Sequence, residues 1–333
     1  MAGAFFRKSE PESFSGGSKP VRRKIGVALG AGAARGWAHI GALQELAALG
    51  VSPDIVVGSS IGAVVGGCFA AGQLETLETF ARSLTKRRVF GLLDVSFNGG
   101  GLIGGDRLRG RLEASLGELR IEDLPIRFAG VATEIGSGHE IWLRHGPLVE
   151  AMRASYALPG LFEPVLVAGR WLFDGAIVNP VPVSVARAMG ADRVIALNIG
   201  ADGTGRGTAI QDMPIDDTIE AALVAEEAHS GRPSVMSGLR RGAGLFRRHW
   251  TSEGPGAPGL ASVMVNAFNI TQDRIMRSRL AGDPPDTLVS VKVGKIGLFE
   301  FHRADELIAL GREAVHKARD EIAEQLELTL TKP

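Results

Sequence analysis

The sequence predicts an α/β protein: a mainly parallel central sheet flanked by helices on both faces, in three layers. Three observations carry this reading. Apolar runs of strand length alternate with helical stretches across residues 24–200. Twice, at residues 30–36 and 58–62, an apolar strand passes through a glycine-bearing turn directly into a helix. The first two strands are separated by one helix, a βαβ unit that imposes a parallel pair with a right-handed crossover.

Ile25-Gly26-Val27-Ala28-Leu29 reads as a buried strand. A helix is expected over 37–49, with Trp37, Ile40, Leu43 and Ala47 on one face and Gly50 and Pro53 ending it. Ile55-Val56-Val57 is the next strand. Residues 55–72 carry no charge, but their glycines and central turn favour a strand entering a buried helix over a membrane span, which needs about 20 apolar residues. A helix is expected over 74–88 and a glycine-rich loop over 97–105. A strand over 128–133 pairs with 139–143 across the Gly136-Ser137-Gly138 turn. Pro147 begins a helix over 147–155. Trp171-Leu172-Phe173 is a short strand, 182–189 a helix and 193–199 a strong central strand. From 201 to about 260 the texture changes: Gly, Pro and Ser punctuate an acidic half (Asp212 to Glu227) and then an arginine-rich half (Arg232 to Arg248). A helix over 261–280, a strand over 287–293 and a long helix over 303–325 complete the chain.

The organisation expected is a flexible basic tail over 1–23 and one domain over 24–333, with its motif-bearing core at 24–200, a variable insertion at 201–260 and an α/β completion at 261–333. The tail lacks the apolar core of a signal peptide, so a cytoplasmic protein is expected. Lys+Arg and Asp+Glu stand at 37 each, which disfavours nucleic acid as a partner. A single cysteine, Cys68, rules out an intramolecular disulfide and a multi-cysteine zinc site, and no metal is expected.

Gly58-Ser59-Ser60-Ile61-Gly62 is a G-x-S-x-G pattern in the strand–turn–helix setting of a nucleophile elbow. The flanking glycines, Gly58 and Gly62, let strand and helix approach closely around a strained serine, and the Ile61 N–H faces developing negative charge. Upstream, Gly30-Ala31-Gly32-Ala33-Ala34-Arg35-Gly36 offers backbone N–H groups at a helix start, where anions are stabilised. Arg35 adds a fixed positive charge, unless it serves only to pair with a local acid. A nucleophile beside an anion cradle is the minimal equipment for acyl transfer. The loop also competes as a dinucleotide fingerprint, but Arg35 replaces the third glycine and Asp54 precedes the second strand rather than following it. Among histidines, His229, His249, His302 and His316 follow the serine in triad order, none in a distinctive turn. Asp174, at the end of the 171–173 strand in Asp174-Gly175-Ala176, is a carboxylate placed to reach a cleft, or simply a turn aspartate.

These segments, with Met152-Arg153-Ala154-Ser155-Tyr156-Ala157-Leu158-Pro159-Gly160-Leu161-Phe162 and Asn179-Pro180-Val181-Pro182, resemble the patatin-like phospholipase family, in the bacterial branch related to neuropathy target esterase. The resemblance covers about 25–200 well and 262–315 more loosely. It implies a patatin-like fold and a Ser–Asp dyad without a histidine, Ser60 as nucleophile and Asp174 as proton acceptor. It also implies oxyanion donors in the 30–36 loop, chiefly the N–H groups of Gly32 and Ala33, and no cofactor. Family members often carry a run of glycines in this loop, whereas this chain has Ala31, Ala33 and Ala34. The cradle is therefore expected to work only if these alanines need no positive φ.

The function expected is hydrolysis of acyl esters of lipids, phospholipids or lysophospholipids. The alternatives are a thioesterase or acyltransferase with the same dyad, or a catalytically silent regulatory protein on the same fold. Residues 230–260, with Arg240, Arg241, Arg247, Arg248 and Trp250, are expected either as a flap that docks peripherally on the inner membrane face or as a solvated loop.

Overall fold

The computed structural model describes residues 23–92, 101–103, 106–200, 260–293 and 296–327. The expected basic tail (Arg23 apart), the charge-polarised insertion and the arginine-rich flap lie outside these residues. The strands are β1 (Ile25–Leu29), β2 (Ile55–Ser59), β3 (Gly101–Ile103), β4 (Arg127–Glu134), β5 (Glu140–Leu143), β6 (Gly160–Phe162), β7 (Val165–Val167), β8 (Arg170–Asp174), β9 (Arg193–Asn198) and β10 (Thr287–Ser290). The helices are α1 (Ala38–Ala48), α2 (Ile61–Ala70), α3 (Leu74–Arg82), α4 (Lys86–Leu92), α5 (Asp106–Leu116), α6 (Leu148–Tyr156), α7 (Val183–Ala188), α8 (Leu260–Gly282), α9 (Ala304–Lys317) and α10 (Arg319–Leu326).

The array β10-β9-β1-β2-β4 is parallel throughout. Its strands are almost continuously apolar, as burial on both faces demands, and all five residues of β2 are buried. Odd and even positions serve different layers. Val27, Leu29 and Val56 pack with α1, α2, α6 and α9, while Ala28, Ile55, Val57 and Val131 pack with α7 and Met276 of α8.

β4 organises the end of the sheet. β2 runs along one of its edges from Arg127 to Val131. The antiparallel β5 pairs with Gly130–Thr133 and so takes the other edge, since β2 already holds the first at Gly130 and Val131. The antiparallel β8, paired at Ala132–Glu134, is left the edge that β2 has just vacated. β2 and β8 therefore approach each other head-on along one edge of β4, with Ser59 opposite Val131 and Asp174 opposite Ala132.

Glycines at close crossings hold the layers together. A Cβ at Gly58 would run into the Gly62 carbonyl, and one at Gly62 into the Leu29 carbonyl, so the start of α2 lies directly against the strands. α1 and α9 cross through a reciprocal contact. A Cβ at Gly41 would meet the Ile308 carbonyl, and one at Gly311 the Ala38 carbonyl. Covered by α9 as well as the sheet, residues 38–43 of α1 are all buried. Leu46 rather than Ala47 completes the buried face, and Ala47 is exposed.

The expected helix over 74–88 divides into α3 and α4 around 83–85, where the Ser83 hydroxyl caps back onto the Phe80 carbonyl. The expected helix over 303–325 divides at Ala318 (φ −88°, ψ 2°), which swings α10 so that Ile322 and Ala323 reach the core. Within the expected loop over 97–105, Gly101–Ile103 instead pairs in parallel with β6. The strand expected as central, β9, lies next to the β10 edge, but it is flanked on both sides and four of its residues are fully or almost fully buried. Among the described residues, no helix is long and apolar enough to cross a membrane, and the uncharged 55–72 stretch is β2 followed by α2.

Candidate active site

Ser60 ends the run from β2 into α2 with φ 56° and ψ −125°, a conformation L-residues rarely adopt. Strain of this kind costs on the order of 1–3 kcal/mol and persists only where the surroundings over-determine it. Here they do. The Ser60 amide donates to Ser155 Oγ on α6 at 3.0 Å, and the Ser155 hydroxyl donates to the Val131 carbonyl on β4 at 2.6 Å. The close approach of Gly58 to Gly62 fixes the turn from below.

Asp174 arrives from β8. Its amide donates to the Ala157 carbonyl at 2.9 Å, and its own carbonyl accepts the Thr133 hydroxyl at 2.9 Å. The residue is 2% exposed. Oδ1 accepts the Ala176 amide at 2.8 Å and Oδ2 accepts the Ser60 hydroxyl at 2.6 Å. Burial pushes the carboxyl up to about 7, against the opposing pull of those two hydrogen bonds. Gly175 lies so close to the Val131 carbonyl that a Cβ would collide with it.

The glycine-rich loop is held from several sides. Gly30, Ala31 and Ala34 donate their amides to the carbonyls of Leu197, Pro180 and Leu298, and Arg35 donates to Gly32. Among the described residues the amides of Gly32, Ala33 and Ile61 have no partner, and all three residues line one cavity with Ser60 and Asp174. Ala33 adopts φ 49°, so the condition that these alanines need no positive φ is not met there, although its N–H still borders the cavity; Gly32 at φ 165° is extended. Gly36 packs directly onto Ile61, where a Cβ would not fit. Arg35 turns away from Ser60. Its Nε donates to the Ile296 carbonyl at 2.8 Å, and it lines an adjoining cavity.

The cavity over Ser60 is walled by Val64, Leu77, Phe80, Leu84, Leu112 and Phe268 among others. Apart from Ser60 and Asp174, its side chains are almost all apolar. Among the described residues, no histidine lines it. His316 is exposed and pairs with Glu45 at 2.8 Å, His302 lies in the short turn before α9, and His229 and His249 are outside the described residues. Cys68 is a buried core residue whose thiol burial pushes up to about 12. Among the described residues no group of His, Cys, Asp and Glu could hold a metal ion.

Residue-by-residue reading did not single out Ser155, Thr133 or His39 as parts of the site. His39 is fully buried and Nε2 lies 2.7 Å from the Gly30 carbonyl, so Nε2 carries the proton. Burial pushes this imidazole down to about 4 and keeps it neutral. A histidine directly after the loop, on an otherwise apolar helix face, was the available signal.

A buried serine–carboxylate pair thus lines an apolar cavity, on a sheet with a parallel core flanked by helices. A family model described as Patatin-like phospholipase matches residues 27–187. The NTE family protein Rv1063c of Mycobacterium tuberculosis (strain H37Rv) is 34% identical over 91% of this chain and 92% of its own. The chain therefore belongs to the patatin-like phospholipase family, with NTE family proteins as its relatives. It is also similar to the lysophospholipases NTE1 of Pyricularia oryzae, at 26% identity over 90% of this chain, and nte1 of Emericella nidulans, at 31% over 90%. It spans less than a fifth of the length of either, 19% and 18%.

Proposed function

We propose that the protein is a serine hydrolase that cleaves acyl esters of phospholipids or lysophospholipids with Ser60 and Asp174 as a dyad. The observation that carries this reading is the buried 2.6 Å hydrogen bond from Ser60 Oγ to Asp174 Oδ2, between two residues that line an apolar cavity. Names borne by relatives, lysophospholipase among them, agree with the substrate class.

The chemistry follows from the geometry. Asp174 accepts the Ser60 proton as Oγ attacks the ester carbonyl carbon. Its raised pKa, about 7, gives the carboxylate a basicity near that of an imidazole. The unpartnered amides of Gly32, Ala33 and Ile61 donate to the resulting oxyanion. Asp174 then returns the proton to the departing alcohol oxygen, and the acyl group remains on Ser60. Water attacks the acyl-enzyme, its proton passing to Asp174. Collapse of the second tetrahedral species frees the fatty acid, and the proton goes back to Ser60 Oγ.

Ser60→Ala and Asp174→Asn are each expected to lower kcat/KM for a lysophospholipid by about 10⁴-fold or more with the fold retained. Substantial turnover by folded Ser60→Ala would exclude the mechanism. Product analysis with acyl-CoA and alcohol acceptors present separates hydrolysis, which releases free fatty acid, from acyl transfer.

A further inference from the structure

A second cavity adjoins the one over Ser60. The two share five lining residues, Ala31, Gly32, Asn269, Gln272 and Leu298. The second is the more polar of the two, although Pro180, Val181, Ile270 and Met276 also line it. The first is walled by aliphatic and aromatic side chains, and the second carries Arg35, Asn198, Asn266 and Arg274 beside the shared Asn269 and Gln272. Its one acid, Asp273, is neutralised by Arg277 at 2.9 Å. Arg274 makes no ion pair among the described residues. Asn198 uses Oδ1 on the Gly200 amide and keeps its NH₂ group for another acceptor. The Asn198 amide and the Arg274 guanidinium, unpaired among the described residues, suit a ligand group that is anionic and accepts hydrogen bonds.

We infer that this second cavity binds the phosphate-bearing alcohol portion of a glycerophospholipid, with Arg274 facing the phosphate and the amide side chains of Asn198, Asn269 and Gln272 donating to its oxygens. The inference rests on the ester-hydrolase reading of Ser60. A single amphiphile then spans both chambers. Its acyl chain fills the more apolar side, its phosphate the more polar side, and its ester carbonyl lies over Ala31 and Gly32, the loop residues common to both. Specificity for a charged leaving alcohol is built by segregating the two walls rather than by a contact at the reacting atoms.

The test compares wild type with Arg274→Gln, an exposed position with no ion-pair partner among the described residues. The measured quantity is the ratio of kcat/KM for a lysophospholipid to kcat/KM for the monoacylglycerol with the same acyl chain. A charge-assisted contact of this type predicts a fall in the ratio of about tenfold or more. A second arm measures, by calorimetry, the affinity of a non-hydrolysable ether-linked lysophospholipid, which requires no catalysis. It should weaken by about the same factor. An unchanged ratio or an unchanged affinity overturns the inference. If folded Ser60→Ala still hydrolyses ester, the dyad fails, and the ether analogue still judges the cavity on its own. A loss confined to acyl-CoA hydrolysis would assign the phosphate to a thioester carrier and overturn the glycerophospholipid.

Discussion

Ser155 holds the strained turn at Ser60: its hydroxyl accepts the Ser60 amide hydrogen at 3.0 Å and passes its own to the Val131 carbonyl at 2.6 Å. It is fully buried, so neither group can turn to water if the hydroxyl is lost. Ser155→Ala should destabilise the protein by about 1–3 kcal/mol in urea unfolding, the usual cost of orphaning buried polar groups. It should also lower kcat more than it raises KM, because Ser60 then samples relaxed conformations. Unchanged stability in this variant would show that the relay is not holding the turn.

Asp174 ties activity and stability to pH with opposite signs. As a base it must be ionised, so log kcat/KM should climb with pH and level off above about 7. A flat profile between about pH 5 and 8 would remove Asp174 from that role.

For stability, the folded carboxyl titrates near 7 and the unfolded one near 3.8. The folded state therefore binds more protons between these values. Its contribution is fully present below about 4 and is lost as pH rises through about 7. Asp174→Asn carries no buried charge. It should be the more stable protein at about pH 8, by up to about 4 kcal/mol, with the advantage vanishing towards about pH 4. Thermal unfolding of both proteins across this range checks the convergence, and parallel pH curves would contradict it.

Ala33 occupies left-handed backbone (φ 49°) in a loop where a glycine would be at ease. Ala33→Gly keeps the N–H and relieves strain of about 1 kcal/mol, partly offset by the entropy of the freer unfolded chain. Stability unchanged or slightly raised, with kcat within about twofold, is the expected result. Ala33→Val, β-branched at positive φ, should unfold at lower denaturant. Equal stabilities for the two variants would deny the strain.

The crossing of α1 and α9 is open to a direct test. Gly41→Ala and Gly311→Ala each place a methyl against a carbonyl of the opposing helix. Each should cost about 1–3 kcal/mol, and the double variant less than the sum, since one separation of the helices serves both. Additive losses would mean that the two glycines do not share a contact.

Much of this molecule is legible in its sequence. β1 was expected over the five residues it occupies, and the 139–143 strand does pair across the Gly136-Ser137-Gly138 turn, because period and turn chemistry are local signals. The breaks at 83–85 and at Ala318 carry no proline or glycine. They are imposed by where the following segment must pack, which a local reading does not contain. Of the proposed site, Ser60, Asp174 and the loop announce themselves through glycine patterns. Ser155 and Thr133 do not, since a hydroxyl that serves another residue's backbone looks like any other until the chain is folded. The left-handed Ala33 was the reverse case, a residue type arguing against the conformation that the fold requires.

The head-on meeting of β2 and β8 makes β4 a ruler common to both. Ser60 and Asp174 are 114 positions apart in the chain, yet their spacing is graduated by neighbouring rungs of one strand. Lengthening or rebuilding any loop between them leaves that measurement alone. A slip of β8 by a single rung would spoil it completely, for the carboxylate would then face the opposite side of the sheet. Such a gauge tolerates wide variation in everything it does not touch, and next to none in the strand on which it is marked.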